Sequence, residues 1–563
     1  MHMNVLKDGY RYLRNHLEYF FPALLFLILL AFTLVTAVAK PVRVVQMVPM
    51  MVLWPLALLV CARFAPSLFR SRRYVLFTLV VTYLPLMNTW PARIFRDGVL
   101  HLDTHGWAAF LQPVFIGLCT LLALFPPKLR RRDAFFLMAM GLWAVGGVIS
   151  LLRTPDLSLS VEHLVAGVFT PILAYLVFVS VPLIETEWLA VLSGFFVAAL
   201  CPVVLGFLGY FGAYGVPLTL SSFMHNKMQM YLVSELQTFT YGNVDHLAEF
   251  LLLTLIPAVG FLSSRSRDIK FRNEIEFVFI VYVVLATVLT VLIQVRGLVI
   301  VLVTALILAG IYNLTRRRFL YMVPTAAVFA VVVGSSLLLY GSFYGGLMPK
   351  LGAPQHTAGV SAVVAPEHTA AAPLTRAEKL AESRAPVVRR SPARTLDPPR
   401  SGAQALPDGV AARQPGHGSV AWFRVKDTSA NLRWDAIQHG IQVLKRAWPW
   451  GVGIGAYKVY APQFTAAHSF AVQVVAETGL LGALFVIVLL TYVAARFILS
   501  WSRQRGEFWA ALTCGAFVAY MYAFSGVMAI IGISVWGMVF ALWVARMERW
   551  PSHAEEPETE VTC

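Results

Sequence analysis

Apolar runs of about 20 residues recur along this chain from Phe21 to Val544, and they constrain its fold more than any other feature. A helix of that length crosses the hydrocarbon core of a bilayer, which is about 30 Å thick. Hydrophobic residues make up 58% of the chain and charged residues 13%, which excludes a soluble multidomain protein or a nucleic-acid binder. The sequence therefore predicts an all-α polytopic integral membrane protein.

Hydropathy predicts about 12–14 transmembrane helices, with one large external loop that contains short helices. The candidate spans are 21–39, 44–62, 74–90, 106–125, 134–152, 164–184, 188–211, 247–263, 277–294, 297–313, 319–340, 468–495, 508–525 and 527–545.

The distribution of Lys and Arg gives the orientation of these spans. With the N-terminus inside, cytoplasmic segments hold 23 Lys and Arg residues, whereas the short external loops hold seven. This contrast satisfies the positive-inside rule, so most basic clusters are interpreted as topological anchors. The net charge of +16 is thus no sign of a polyanion partner.

The same reading divides the chain into four regions. They are the N-terminal transmembrane helices 1–340, the external loop 341–467, the C-terminal transmembrane helices 468–546 and a cytoplasmic tail 547–563. Within the loop, 345–421 contains no Phe, Tyr or Trp and is rich in Pro, Ala and Arg, which predicts a largely disordered insert. Apolar residues at helical spacing return after Trp422, which predicts an ordered helical lobe over 422–467.

Arg296 lies between two apolar runs, where the predicted topology leaves few other external cations. Such an arginine either snorkels to lipid phosphate or binds an anionic ligand. Further along, Gly451, Gly453 and Gly455 alternate after Pro449, which indicates a tight turn whose backbone closely approaches another group. This turn lacks the lysine and the Ser or Thr of a nucleotide phosphate loop, so it does not predict nucleotide binding.

His468 stands where the lobe meets the next apolar run, as either a capping residue or a functional one. Glu477 follows about two and a half turns further into that run, and an intramembrane carboxylate indicates a polar cavity or a buried hydrogen-bond network. Gln473 and Glu477 are four residues apart, which places them on one helical face.

Metal-ligating residues are scarce in the predicted external loops. The first such loop, 40–43, contains no acid. His101, Asp103 and His105 in the next have a spacing that suits a metal, but this pattern is more typical of an exposed polar loop.

Three segments together resemble the O-antigen ligase family of bacterial integral membrane proteins. The segment Gly-Asn243-Val-Asp245-His-Leu-Ala is similar to the family's Gly-Asn-x-Asn-x-Leu-Ala, with Asp245 in place of the second Asn. Val-Arg296-Gly resembles Ser-Arg-Gly at a short external turn. Arg433–Gly482 resembles the family's arginine followed by Pro-x-x-Gly-x-Gly-x-Gly, His-Asn and Glu-x-Gly-x-x-Gly, with Ser469 where the family has Asn.

The resemblance implies metal-independent, inverting transfer of a polyprenyl-diphosphate-linked glycan to an acceptor hydroxyl, for example on lipid A core. It implies no cofactor, a bacterial inner-membrane location and an active site on the periplasmic side. Its implied site residues are the catalytic base His468, the diphosphate-binding Arg296 and Arg433, and the supporting Asn243, Tyr457, Gln473 and Glu477. Arginine supplies permanent bidentate charge to a diphosphate, and histidine titrates near neutrality.

Two other functions remain open from the sequence. A polysaccharide polymerase would use the same donor and join lipid-linked repeat units. A transporter of polysaccharide or lipid-linked sugar would also be polytopic and cationic, but it is expected to place charges along a midplane pathway between internal repeats, and no repeat is evident. A structural or receptor role would not explain why an arginine, a glycine turn and a histidine occur together in this pattern.

Overall fold

The computed structural model describes residues 44–86, 112–212, 244–263, 272–293, 295–317, 319–344, 428–461, 467–502, 505–524 and 530–549. Its helices are α1 Val44–Phe64, α2 Arg72–Tyr83, α3 Gln112–Leu124, α4 Asp133–Ser150, α5 Leu157–Leu164, α6 Thr170–Ser180, α7 Glu185–Gly212, α8 Val244–Ser263, α9 Arg272–Ile293, α10 Arg296–Thr315, α11 Val323–Tyr344, α12 Thr428–Ala447, α13 Tyr457–Tyr460, α14 Phe470–Ser502, α15 Arg505–Ala523 and α16 Ile530–Arg549. Short 3₁₀ segments lie at Pro66–Phe69, Leu84–Leu86 and Phe319–Met322, and one π-helical turn, Val165–Phe169, joins α5 to α6.

The described residues form helices and no strand, which confirms the predicted all-α class. Among them, six helices are long and apolar enough to cross a membrane. They are 133–150, 157–180, 185–207, 273–293, 296–315 and 470–502. Shorter apolar helices lie at 49–64, 114–124, 247–263 and 323–337. The polytopic architecture is therefore confirmed, whereas the count of 12–14 spans stays a prediction because parts of the chain, including span 21–39, lie outside the described residues.

The residues that matter for the site belong to one compact unit made of Met1–Leu339 and Thr428–Cys563. A second unit, Tyr340–Asp427, is described only at the end of α11, so the predicted disorder of 345–421 and the first residues of the 422–467 lobe lie outside the described residues. Within the first unit, α14 packs against α4, α15 and α12, and α15 also packs against α8, α10 and α16.

Small residues let α4 and α14 approach closely. A Cβ added at Gly146 of α4 would lie 3.0 Å from the Cβ of Leu481 on α14. Trp143, one turn earlier, stacks on Phe485 with the ring centroids 4.8 Å apart. Helix pairs in a membrane gain their stability from such close packing, because lipid tails are as apolar as the side chains they replace.

Helix α14 is broken at Gly479, where φ is 66° and ψ is −137°. The turn that follows α12 inserts at this break. Leu480 N–H donates to the Pro449 carbonyl at 2.8 Å, and Val452 N–H donates to the Ala476 carbonyl at 3.0 Å. These bonds satisfy backbone groups that the break would otherwise leave unpaired inside the membrane. A side chain at Gly479 would overlap the Pro449 carbonyl, so only glycine fits there.

A buried ion cluster lies towards the other end of α14. Arg496 forms an ion pair with Glu548 of α16, and Tyr492 donates to the same carboxylate at 2.6 Å. Glu507 of α15 lies 3.9 Å from Arg496. The cluster ties the last three helices together. α14 ends at Ser502, seven residues beyond the predicted end of this span at 495.

Candidate active site

The glycine turn between α12 and α13 has the backbone that the sequence predicts. Gly451, Gly453 and Gly455 all have positive φ, at 82°, 111° and 74°. Each glycine faces a close neighbour: a Cβ would overlap the Glu477 carbonyl at Gly451 and would lie 2.6 Å from Thr154 Cβ at Gly453. The prediction of a tight turn whose backbone closely approaches other groups is confirmed.

Glu477 holds this turn to α14 through both its side chain and its backbone. Its carboxylate accepts hydrogen bonds from Gly455 N–H at 2.9 Å and from Tyr457 N–H at 3.4 Å. Gln473 Nε2 donates to the same carboxylate at 3.1 Å, and Gly453 N–H donates to the Glu477 carbonyl at 3.0 Å. Both side chains are buried, so the predicted pairing of Gln473 with Glu477 in a buried network is confirmed.

Tyr457 fixes the short helix α13 against α12. Its side chain is fully buried, and its hydroxyl donates to the Ala436 carbonyl at 3.1 Å. Burial raises the pKa of Tyr457 to about 12, and the negative charge of Glu477 raises the pKa further in the same direction. The hydroxyl therefore stays protonated near neutral pH and keeps its donor role. Tyr457, Val443 and Val452 share a small apolar core with Ala467, which precedes His468.

His468 lies two residues before the start of α14, is partly exposed, and has a backbone φ of 51°. Its two neighbours are each anchored to another helix. A Cβ at Gly440 of α12 would lie 3.2 Å from Ala467 Cβ, so α12 passes close to the residue before the histidine. Ser469, the residue after it, donates its hydroxyl to the Tyr522 carbonyl at 2.8 Å, near the end of α15.

These two anchors connect His468 to the helices that carry the arginines. Arg433 precedes Gly440 by seven residues, about two turns, so it lies on the same side of α12 as Gly440, and it is partly buried. Arg296 is the exposed first residue of α10. A Cβ at the next residue, Gly297, would lie 2.7 Å from the ring of Phe524, which is two residues after Tyr522. Helix α12, which carries Arg433, thus contacts the residue before His468. Helix α10, which begins at Arg296, contacts the end of α15, and that end of α15 binds the residue after His468.

Other predicted residues fall outside this description. Asn243, His101, Asp103 and His105 lie outside the described residues. Within the described ranges, no group of three or more His, Cys, Asp or Glu side chains is arranged to hold a metal ion. The roles assigned to His468, Arg296 and Arg433 remain predictions.

The last residue of α4 and a histidine of α5 also support the turn, and sequence reasoning missed both. Ser150 Oγ accepts a hydrogen bond from Ile454 N–H at 3.1 Å, and the ring of His163 lies against Gly455. His163 is buried and bonds the Leu159 carbonyl through Nδ1 at 2.9 Å. A histidine inside an apolar run was a usable signal, because such residues mark sites in membrane helices. Nothing in the sequence connects Ser150 with a turn 304 residues away.

Comparison with known proteins gives one family match. Residues 281–487 match the model of the family described as O-antigen ligase, which confirms the resemblance to that family. The matched range contains Arg296, Arg433, the glycine turn and His468. No curated protein matches the chain. The family match supports glycosyl transfer in lipopolysaccharide or polysaccharide biosynthesis by a multi-pass membrane protein.

Proposed function

We propose that this chain transfers a glycan from a polyprenyl-diphosphate carrier to an acceptor hydroxyl, by an inverting mechanism that needs no metal ion. The observation that supports the proposal is the arrangement around His468. Helix α12, which carries Arg433, contacts the preceding residue, and the end of α15 binds the following residue and packs against the start of α10 beside Arg296. The O-antigen ligase match over 281–487 supports the same chemistry. We further propose that the site faces the periplasm, in the inner membrane of a bacterium.

In this mechanism Arg296 and Arg433 bind the donor diphosphate. A diphosphate leaving group carries negative charge that grows as its bond to the sugar breaks, so fixed positive charge stabilises the transition state. Arginine offers a planar pair of N–H donors that matches phosphate oxygens and stays charged at every physiological pH. Two arginines on separate helices can therefore take the place that a divalent cation fills in other diphosphate-using enzymes.

His468 removes the proton of the acceptor. The acceptor oxygen attacks the anomeric carbon of the donor sugar, and a new carbon–oxygen bond forms as the bond to the diphosphate breaks. The acceptor proton passes to the imidazole, and the electron pair of the broken bond stays on the polyprenyl diphosphate. A single displacement of this kind inverts the anomeric configuration.

The acceptor distinguishes two members of this reaction class. We propose ligation, with a hydroxyl of lipid A core as acceptor. The alternative is a polymerase, whose acceptor is a second lipid-linked glycan and whose donor chemistry is the same. Glycan analysis of a deletion strain separates them: loss of ligation leaves long glycan on the polyprenyl carrier, whereas loss of polymerisation leaves single repeat units.

The test measures donor binding and transfer on purified variants. His468→Ala should lower turnover by about 100- to 10,000-fold while donor affinity stays nearly unchanged, because the imidazole acts on the other substrate. Arg296→Ala and Arg433→Ala should weaken donor binding and turnover together, and Lys should rescue poorly at either position.

Three matched variants control for general damage. His439 is partly exposed on the same helix as Arg433, Arg446 is exposed in the last turn of that helix, and Arg316 lies just beyond the far end of α10. Alanine at each should leave transfer near the wild-type rate. Near-normal turnover in His468→Ala would show that the histidine has only a structural role before α14. Unchanged donor affinity in both arginine variants would favour lipid snorkelling as the role of Arg296.

A further inference from the structure

His468 has a backbone conformation that few residues other than glycine adopt. Its φ of 51° lies in the left-handed region, where the Cβ of an L-residue approaches the following carbonyl. Without neighbours to hold it there, a histidine would relax to a commoner conformation and its imidazole would point elsewhere. The residues that anchor Ala467 and Ser469 therefore control the direction of the side chain.

Gln473 anchors the residue before the histidine. Its Oε1 accepts a hydrogen bond from Ala467 N–H at 3.4 Å, while its Nε2 donates to Glu477 at 3.1 Å. Since Glu477 in turn accepts from Gly455 N–H, the amide of Gln473 connects the backbone beside His468 to the glycine turn. Gln473 is only 2% exposed, so the bridge is shielded from water.

Ser469 anchors the residue after the histidine. It occupies the cap position of α14: its Oγ accepts from Val472 N–H at 3.4 Å, and its carbonyl accepts from Gln473 N–H at 3.0 Å. The same hydroxyl donates to the Tyr522 carbonyl at 2.8 Å. Asn caps helices as well as Ser does and also offers both a donor and an acceptor. Ser therefore keeps the capping function at the position where the resembling family has Asn.

We infer that Gln473 and Ser469 are positioning residues that hold His468 in its left-handed conformation and thereby aim its imidazole at the acceptor. This inference rests on the proposed function of His468 as the base. Neither residue is assigned contact with a substrate; both act through the backbone of the histidine. Their loss should lower the fraction of molecules with a correctly aimed imidazole and leave the diphosphate-binding arginines in place.

The experiment compares turnover and donor affinity in the purified full-length chain. Gln473→Met keeps the length of the side chain and removes both hydrogen bonds; Ser469→Ala removes the cap and the bond to Tyr522. Each should lower turnover by about 5- to 30-fold, the factor that the usual penalty for left-handed backbone implies, with donor affinity changed less than about two-fold. Ser469→Asn should restore most of the turnover lost in Ser469→Ala, because it restores the cap.

Thr513→Val is the matched control, because Thr513 is a buried hydroxyl whose bond stays within α15. It should leave turnover and donor affinity unchanged. The inference fails if Gln473→Met retains full turnover, if donor affinity falls as far as turnover, or if Ser469→Asn behaves like Ser469→Ala. Any of these three outcomes leaves the proposed function intact as long as His468→Ala is inactive. Normal transfer by His468→Ala would instead contradict the proposed function.

Discussion

Replacing Gly479 by alanine tests whether the break in α14 is required for the site. The residue has φ 66° and ψ −137°, a conformation that costs a non-glycine residue about 1–3 kcal/mol. Its new Cβ would also overlap the Pro449 carbonyl, so the bond from Leu480 N–H to that carbonyl would be lost. A buried polar group left unpaired costs about 1–3 kcal/mol more. The total of about 2–6 kcal/mol is a large share of the usual 5–15 kcal/mol of a folded protein.

The cysteines provide the assay for this change. Cys61, Cys201 and Cys514 are free and buried, so a thiol-reactive dye reports unfolding in detergent. Exposed Cys119 and the C-terminal Cys563 are replaced by Ala to remove background. Gly479→Ala should lower the thermal midpoint and abolish transfer. If α14 straightens instead and expels the turn, transfer is still lost while the midpoint changes little.

Gly310→Ala is the control for the Gly479 experiment, because a Cβ at that position on α10 would meet nothing within 4 Å. It should leave the midpoint unchanged or raise it slightly, since alanine favours helix over glycine. Wild-type transfer together with a wild-type midpoint in Gly479→Ala would refute the argument that the inserted turn depends on this glycine.

Three further predictions concern other parts of the molecule. Deleting 350–416 should leave the rate of transfer in vitro within a few-fold of wild type, because the composition of this insert does not support a folded core. Complete loss of transfer in a deletion protein that inserts correctly into the membrane would instead indicate that the basic residues of 350–416 recruit substrate. Transfer should survive EDTA, since in the proposed mechanism arginines take the place of a metal at the diphosphate. Strict dependence on added magnesium or manganese would contradict this and would indicate His101, Asp103 and His105 as metal ligands. Glu548→Leu should destabilise the protein by about 3–5 kcal/mol, because Arg496 stays buried without this partner. The Arg496→Met/Glu548→Leu double variant should recover part of that stability, and thermal midpoints of both variants measure the difference.

The sequence predicts those features that depend on local patterns. Hydropathy places the break between α9 and α10 correctly, and α10 begins at Arg296, one residue before the predicted span. The alternating glycines predict the turn at 451–455, and the four-residue spacing predicts the pairing of Gln473 with Glu477. Each of these signals lies within a few residues of the feature it specifies, so a single sequence is enough to detect it.

Features that depend on distant partners could not be predicted. The apolar segment around Gly479 fits a straight helix as well as a broken one, and the carbonyl that fills the break belongs to Pro449, on a different element. The extension of α14 past 495 was missed for a similar reason. Arg496 looks like a loop residue in sequence, because its burial requires the carboxylate of Glu548 on α16.

Glu477 of α14 and Glu548 of α16 are buried carboxylates near opposite ends of α14, and they have different kinds of partner. Glu548 pairs with Arg496 near the C-terminal end of α14. Its negative charge is therefore balanced by an opposite charge, and the ion pair joins α16 to α14. Near His468, the carboxylate of Glu477 accepts backbone N–H groups of Gly455 and Tyr457 and the amide of Gln473. Satisfying a carboxylate with amide donors needs no second charge. A buried network of this kind therefore orders the turn beside His468 without a second charged side chain.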